Sequence, residues 1–399
     1  MQTVSKEAAK NFLVDRQFFL QDVGKDGTLE AIKRLECVQI DPIKVVHRNH
    51  HLVLHNRVSD YKPSYLNTLL YKNRAVFEYW CNEKSIIPME DFRYFYYHMQ
   101  HSMEFHSPFY ERLKARREEF KEATRKVVAA IKAHGALCAQ DFRDNVGSKT
   151  ANRVLYLLWD SGIAMIDHVE GNRRYYDLSE NILPKNLDDS VPSKDEHDRF
   201  MVEKYIRAYG LVDVRDWRFG WLPLKSVQRK AITKKMVKDG MLFPVRIEGI
   251  KQVYYILEKH LGDLEAAEGS SIEEKVLLIA PLDNLIWNRR MISEVFGFDY
   301  VWEVYKVPEK RKYGYYVLPI LYGANFVGRI DPKLDRANKT MIINSVLLEK
   351  ARLAESFIVE LAATLKKFVS FHNASQVKIM QTKPVELKKA LLSEINRLD

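Results

Sequence analysis

The chain has 399 residues, of which 46% are apolar, and a net charge of +10 from 63 basic and 53 acidic side chains. This composition excludes a disordered protein and allows two to four compact units, each with its own core. The longest apolar runs, 276–281 and 315–322, are much shorter than the roughly 20 residues that cross a bilayer. We expect no membrane span and, because no secretory signal is recognisable, a cytoplasmic protein.

The three cysteines, Cys37, Cys81 and Cys138, are widely spaced. This spacing indicates neither a disulfide framework nor a Cys-x-x-Cys metal pair, and three thiols cannot supply the four ligands of a typical iron–sulfur cluster. The sequence also contains neither a Gly-x-Gly-x-x-Gly pattern nor a glycine-rich phosphate loop. We therefore expect no nucleotide cofactor.

The first candidate site is the segment 38–42, Val-Gln-Ile-Asp-Pro. Gln39 and Asp41 are two residues apart in an apolar extended segment, so their side chains share one face. Pro42 favours an extended backbone at Asp41. The pattern alone is more typical of a strand end whose Asp forms a turn than of a catalytic pair.

His47, His51 and His55 then recur every four residues on a predicted helix. Three histidines on one helical stripe need a further carboxylate or water to hold a metal, and the neighbouring sequence indicates none. We therefore predict no metal site. His47 and His51 are instead candidates for contact with phosphate.

The middle of the chain contains an internal repeat. Residues 131–135 and 141–142 match residues 206–210 and 216–217, and the second halves match at 161–163 with 239–241 and at 170–176 with 248–254. Each copy predicts a helix, a short turn, a helix, a longer helix and two strands around a Gly turn. This order is that of a winged helix-turn-helix.

The third helix of such a unit enters the major groove of DNA, which directs attention to 149–160 and 229–238. Residues 225–238 contain six Lys or Arg and no acid, so this helix carries a dense positive charge. Lys230, Lys234 and Lys235 are the candidate contacts. The alternative is a protein-interaction module whose basic face is only solvated.

The clearest linker follows at 188–195, and another boundary lies near 266–271. The C-terminal part predicts strands at 299–306, 315–321 and 325–330, and an amphipathic helix over 345–371. Lys310, Arg311 and Lys312 form the basic tip of a predicted hairpin at 308–312 and are candidates for DNA contact.

Five motifs occur in the order of one known family. They are Val-Gln-Ile-Asp-Pro at 38–42, Phe-Glu-Tyr-Trp at 77–80, Leu-Asp-Asn-Leu-Ile-Trp at 282–287, Gly-Tyr-Tyr-Val-Leu-Pro at 314–319 and Val-Gly-Arg-Ile-Asp at 327–331. With them the chain resembles the bacterial interstrand-crosslink DNA glycosylases, the winged-helix family of the AlkZ and YcaQ type. The resemblance extends from about residue 6 to residue 352.

The resemblance implies catalytic roles for two side chains. The family signature is Gln-x-Gln or Gln-x-Asp, and Gln39-Ile40-Asp41 has the second, YcaQ-like form. The resemblance further implies a monofunctional glycosylase that removes N7-alkylated guanine, including crosslinked guanine, from double-stranded DNA in the nucleoid. We expect a monomer that needs no cofactor. The chain departs from the family at Asn82, where the family pattern has His, and this puts the substrate range in question.

We predict an α+β fold of tandem winged-helix modules with a β-rich C-terminal domain and a terminal helix. The predicted domains are 1–118, a winged-helix-like domain with the Gln-x-Asp segment, winged helices at 119–190 and 191–266, and the β-rich domain at 267–399. The alternative to an enzyme is a winged-helix transcription regulator, which would need side chains that read bases rather than Gln39 and Asp41.

The basic run at 225–238 predicts duplex binding dominated by phosphate contacts. If six phosphates are neutralised, a plot of log affinity against log salt should have a slope of about −5. Replacing Lys230, Lys234 and Lys235 by Ala should flatten the slope in a titration of a labelled duplex. A slope near zero for the unaltered protein, or no binding at low salt, would contradict this prediction.

Overall fold

A computed structural model describes residues 1–18, 23–101, 115, 120–349 and 354–397. Helices and small sheets are mixed throughout, so the predicted α+β class is confirmed. The chain forms two compact units, one of residues 1–62, 205–219 and 224–399, and the other of residues 63–204 and 220–223. Among the described residues no helix is both long and apolar enough to cross a bilayer.

The described residues form fourteen α-helices and thirteen strands. The helices are α1 (Lys6–Phe18), α2 (Gly24–Leu35), α3 (Asn49–His55), α4 (Pro63–Tyr71), α5 (Phe92–His101), α6 (Lys121–His134), α7 (Ser148–Asp160), α8 (Ser179–Ile182), α9 (Lys194–Tyr209), α10 (Ser226–Lys238), α11 (Leu261–Ala266), α12 (Arg289–Met291), α13 (Glu355–Phe371) and α14 (Glu386–Arg397). The strands are β1 (Gln2–Val4), β2 (Val38–Gln39), β3 (Val76–Cys81), β4 (Glu83–Pro88), β5 (Ala164–Glu170), β6 (Arg173–Leu178), β7 (Leu242–Ile247), β8 (Val253–Leu257), β9 (Val276–Leu278), β10 (Leu318–Tyr322), β11 (Asn325–Asp335), β12 (Thr340–Leu348) and β13 (Gln376–Lys383).

In both copies of the internal repeat the first helix, the longer helix and the two strands follow in the predicted order, whereas the predicted middle helix is only a short 3-10 turn, at Ala139–Phe142 or Phe219–Trp221. In each copy the first helix ends at a glycine, Gly135 or Gly210, with φ of 79° or 74°. A residue without Cβ reaches this left-handed conformation at little cost, so the chain turns there. The first copy then continues through α7 to the hairpin β5–β6, and the second through α10 to β7–β8.

An element that the sequence did not predict joins the second copy. Strand β1, at the start of the chain, pairs in parallel with β7 and completes the three-stranded sheet β1-β7-β8. The apolar face of α1, with Ala8 and Phe12, belongs to the same core as Val245 and Tyr254. The first helix therefore packs with the second copy. The four predicted domains stay a prediction, and the boundary at 118–119 lies outside the described residues.

The C-terminal part is a five-stranded sheet in the order β13-β12-β11-β10-β9. The predicted strands at 315–321 and 325–330 correspond to β10 and β11. Two predictions are wrong. Residues 299–306 form no strand, and 345–371 is not one helix, because β-branched residues extend β12 to Leu348 and α13 begins only at Glu355.

A buried ion pair joins the end of α3 to the C-terminal part of the same unit. The Arg57 guanidinium donates two hydrogen bonds to the Asp283 carboxylate, at 2.8 and 2.9 Å, and both side chains are fully buried. Arg57 also donates to the carbonyls of Gln17 and Val53 and lies 4.1 Å from the Phe18 ring centroid. The N–H groups along the edge of the planar guanidinium are thus hydrogen-bonded, and the Phe18 ring covers one of its faces.

Removing one charge of this pair should destabilise the fold strongly. Asp283→Asn leaves the Arg57 cation buried without a counter-ion, which typically costs about 3–5 kcal/mol. Urea unfolding followed by tryptophan fluorescence measures the loss. Glu122→Gln breaks the exposed Arg125–Glu122 pair and should leave stability nearly unchanged. Equal stability of the two variants would contradict this prediction.

Candidate active site and DNA interface

Gln39 and Asp41 lie in a short segment with little regular secondary structure. Strand β2 ends at Gln39, and Asp41 follows in a segment without regular secondary structure. One oxygen of the Asp41 carboxylate accepts a hydrogen bond of 2.8 Å from the Ile43 backbone N–H, the turn that an Asp at a strand end favours. The side chains are largely buried, with 8% of Gln39 and 9% of Asp41 exposed.

Burial sets the protonation chemistry of Asp41. Desolvation raises the pKa of the Asp41 carboxyl, and the single Ile43 N–H bond offsets only part of that rise. A carboxylate with a raised pKa is a stronger base than an exposed one. This is the protonation behaviour expected of a catalytic base.

Asn49, the first residue of α3, holds the backbone at Gln39. Its amide nitrogen donates to the Gln39 carbonyl at 3.1 Å and to the Leu282 carbonyl at 3.3 Å. Its amide oxygen accepts from the Leu282 backbone N–H at 3.0 Å. The Asn49 side chain is buried, so these bonds are not exchanged for water. One amide therefore ties the segment to residue 282.

Asn284 holds the backbone just before the same segment. Its buried amide donates to the carbonyls of Leu35 and Cys37, both at 3.0 Å. Leu282, Asp283 and Asn284 are consecutive, so one motif holds the chain before Gln39, at Gln39 and at Arg57. The sequence predicted this motif's importance only through the family resemblance, and it did not predict the role of either asparagine.

Tyr316 lies within electrostatic range of Asp41. Burial, then Tyr300 and the Asp41 carboxylate, raise the pKa of the Tyr316 phenol, which therefore stays protonated. Its backbone N–H donates to Asp331 at 3.1 Å, and Asn344 donates to the second oxygen of that carboxylate at 3.2 Å. Tyr316 belongs to one of the five family motifs and is a further candidate for the site, which sequence reasoning did not name.

The basic residues predicted at a hairpin tip lie instead on a loop organised by one carboxylate. Glu303 is buried and accepts hydrogen bonds from the Lys306 ammonium and from the backbone N–H groups of Lys312, Tyr313 and Gly314. Burial opposes the charged form, but these bonds outweigh it and lower the pKa of Glu303 to about 2. The carboxylate replaces the strand ladder that the composition predicted.

This loop presents the three predicted cations differently. Lys310 and Lys312 are exposed, whereas Arg311 is half-buried. Arg311 donates to the Lys306 carbonyl at 2.8 Å and lies 4.7 Å from the Tyr315 ring centroid. Arg311 thus stabilises the loop, and the two lysines are the groups most available to an anion.

Helix α10 has the charge distribution that the sequence predicted. Lys230, Lys234 and Lys235 are exposed, and within the described part of the chain none forms an ion pair. Arg229 faces inward, where it donates to the carbonyls of Val214 and Leu224 at 2.9 and 2.7 Å. The outer face of α10 is therefore an unneutralised positive surface.

The histidines lie in an aromatic cluster rather than on an open helical stripe. His47 precedes α3, is 4.5 Å from His51 between ring centroids and stacks on Phe371 at 5.4 Å. His51 is buried and bonded to the Tyr61 hydroxyl at 2.7 Å. Burial and neighbouring cations lower the pKa of His47 to about 3, so it is uncharged at neutral pH. No group of three potential metal ligands occurs among the described residues.

The aromatic motif residues have packing roles. Tyr79 is fully buried and donates to the Asp160 carbonyl at 2.7 Å, and Trp159 of α7 donates to the Glu78 carbonyl. The C-terminal half of α7 is thereby covered by β3, in contrast to the exposed α10. Asn82, which departs from the family pattern, is buried.

The mixed α+β fold and the buried segment with Gln39 and Asp41 can be compared with known proteins. The solved structure of the DNA glycosylase AlkZ from Streptomyces sahachiroi superimposes with a TM-score of 0.66, over 95% of this chain and 100% of that one, at 16% sequence identity. The model of the AlkZ-like DNA glycosylase family matches residues 32–371, which include Gln39, Asp41 and Tyr316. The chain belongs to this family of DNA glycosylases, whose substrate is DNA.

The Glu303 carboxylate should determine how firmly the basic loop is held. A hydrogen bond to a charged group contributes about 1.5–3 kcal/mol, so Glu303→Gln should open the loop at least tenfold more often. Trypsin cleavage after Lys306, Lys310, Arg311 or Lys312, quantified by mass spectrometry, reports this opening. Glu309→Gln, which removes an exposed carboxylate from the same loop, should not change the cleavage rate. Identical rates for both variants would contradict the prediction.

Proposed function

We propose that this protein hydrolyses the N-glycosidic bond of N7-alkylated guanine, including guanine in interstrand crosslinks, and leaves an abasic site. The observation that carries the proposal is the buried Asp41 carboxylate beside Gln39, in a chain of a DNA glycosylase family. We further propose that it works as a monomer on nucleoid DNA in the cytoplasm, without a cofactor.

The sugar, rather than the base, needs stabilisation in this reaction. Alkylation at N7 makes guanine cationic, so when the C1′–N9 bond breaks the electron pair neutralises the base, which leaves without a general acid. The deoxyribose becomes an oxocarbenium-like cation, the type of charge that carboxylates stabilise in glycoside hydrolysis. Asp41 is the group of the site that supplies the opposite charge.

The size of this effect can be estimated from Coulomb's law. At about 4 Å and an effective dielectric constant near 20, a carboxylate and a unit cation attract by roughly 4 kcal/mol. If this attraction exists only in the transition state, it accelerates the reaction about a thousandfold. Burial of Asp41 supports the low dielectric constant, because bulk water would weaken the attraction.

Gln39 and Asp41 together can activate the water that completes hydrolysis. The Gln39 amide offers one acceptor and two donors that orient a water molecule, and Asp41 accepts its proton as the oxygen bonds to C1′. The Tyr316 phenol, which lies within electrostatic range of Asp41, stays protonated and adds no further negative charge. Because no lysine nucleophile is involved, the sugar stays attached to the DNA backbone and the strand is not cut.

The proposed footprint on DNA combines two positive surfaces. One is the outer face of α10, with Lys230, Lys234 and Lys235, and the other is the loop with Lys310 and Lys312. Cations on exposed surfaces bind phosphates without regard to sequence, which suits an enzyme that searches for damage. N7 of guanine faces the major groove, so a crosslink through it can be approached without full extrusion of the base.

Asp41→Asn should slow excision about a thousandfold while DNA affinity is retained. Asn is nearly isosteric but lacks the charge and basicity of Asp. Gln39→Ala should slow the reaction less, because water can replace part of a positioning amide. Single-turnover release of 7-methylguanine measures both, with Asp26→Asn as a control that removes an exposed carboxylate. An Asp41→Asn variant with full activity would place the active site elsewhere.

The excision rate should also depend on pH: on the acidic side of the pH–rate profile, the acid limb, it should rise with pH. Asp41 acts as a carboxylate, and burial raises its pKa, so the rate should fall as pH decreases through an apparent pKa above 3.8. Single-turnover rates, corrected for spontaneous base loss, define this limb. The residual activity of Asp41→Asn should lack it, and the same limb in both proteins would assign it to another group.

A further inference from the structure

Three cationic side chains lie on or against the loop that follows Asp41. Arg336, at the end of β11, donates from its guanidinium to the carbonyls of Lys44, Val45 and Val46, at 3.3, 3.5 and 2.8 Å. Lys44 and Arg48 belong to the same loop, and the side chains of Lys44, Arg48 and Arg336 are exposed. We call these three residues the loop cluster.

The loop cluster has positive charge that the protein does not neutralise. Burial, then Arg336 and Arg48, lower the pKa of the Lys44 ammonium, so both arginines lie within electrostatic range of Lys44. Within the described residues, none of the three lies within 4 Å of a carboxylate. Mutual repulsion of this kind is relieved when an anion binds between the charges.

The loop cluster is also next to the candidate catalytic residue. Lys44 is three residues after Asp41, and three residues span at most about 11 Å. The Asp41–Ile43 turn shortens this path further. Along a DNA strand the rise is about 3.4 Å per nucleotide, so this backbone distance corresponds to about three nucleotides.

We propose that Lys44, Arg48 and Arg336 bind one backbone phosphate of the damaged strand, within three nucleotides of the target guanine. This inference rests on the proposed function, and it assigns a binding site beside the catalytic segment that is separate from α10 and the Glu303 loop. Lys44 and Arg48 supply the free donors. Arg336 adds charge while its bonds to the three carbonyls fix the loop, so phosphate binding and placement of Asp41 are coupled.

The first test compares two double variants of equal charge. Lys44→Gln with Arg48→Gln removes two cations of the loop cluster, and Lys378→Gln with Lys389→Gln removes two exposed cations from β13 and α14. The duplex carries one 2′-fluoro analogue of 7-methyldeoxyguanosine, which resists cleavage. The loop variant should bind about tenfold more weakly in moderate salt, and its slope of log affinity against log salt should be smaller by about 0.9, the value for one phosphate.

The second test locates the phosphate. Single neutral methylphosphonates replace each of the three phosphates on either side of the lesion, and binding of each duplex is measured. The unaltered protein should lose about tenfold in affinity at one of these positions, and the loop variant should lose nothing further there. A loop variant that binds like the β13–α14 control, or that remains as sensitive as the unaltered protein at every position, would overturn the proposal.

The two binding tests do not depend on catalysis, so together with an assay of base release they separate the phosphate site from the proposed function. If the unaltered protein releases no base, yet the methylphosphonate effect disappears in the loop variant, the phosphate site stands and the proposed reaction fails. If base is released and the methylphosphonate effect is unchanged in the loop variant, the reaction stands and the phosphate site fails. Lys44→Arg with Arg48→Lys keeps both charges and should bind within about twofold of the unaltered protein, which would assign the loss of binding to the charges, and a far-UV circular dichroism spectrum like that of the unaltered protein shows that the Gln variant is folded.

Discussion

The whole candidate site depends on one polar frame buried between two distant parts of the chain. Arg57 and Asp283 form a bidentate ion pair without exposure, and the neighbouring amides of Asn49 and Asn284 bind backbone that is otherwise irregular. Hydrogen bonds offset the cost of burying these groups, because an unpaired charge or amide in the interior is costly. Removing one partner should therefore weaken the hold of the others.

This constraint explains how an irregular segment can be rigid enough for chemistry. Residues 40–42 lack a strand ladder, and their flanks are instead held by side chains of Asn49, Asn284 and Arg336. A carboxylate fixed before substrate binds needs no reorganisation when charge develops in the transition state. A displacement of residues 282–284 would thus also move Asp41, through the hydrogen bonds of Asn49 and Asn284 to the backbone before it.

Sequence reasoning succeeded where the relevant signal is local. The order of helices and strands in the repeat was largely predictable from helical spacing and from glycines such as Gly135, and so was the turn at Asp41. The catalytic roles of Gln39 and Asp41 stay a prediction from the family signature. Asn49 was not predictable, because its partner Leu282 is 233 residues away. The predicted strand at 299–306 is wrong because its aromatic and β-branched composition is also typical of a strand, whereas in the structure Glu303 of this segment accepts hydrogen bonds from the backbone N–H groups of Lys312 and Tyr313.

The central claim is that this frame holds a glycosylase site that releases a base by hydrolysis. Its most direct test incubates the protein with a duplex containing one 7-methylguanine, or one nitrogen-mustard crosslink. Free base is measured by mass spectrometry, and abasic sites by strand scission before and after alkali. The account predicts one released base for each abasic site and an intact strand before alkali. No base above the spontaneous background on either substrate, or cleavage without alkali, would contradict it.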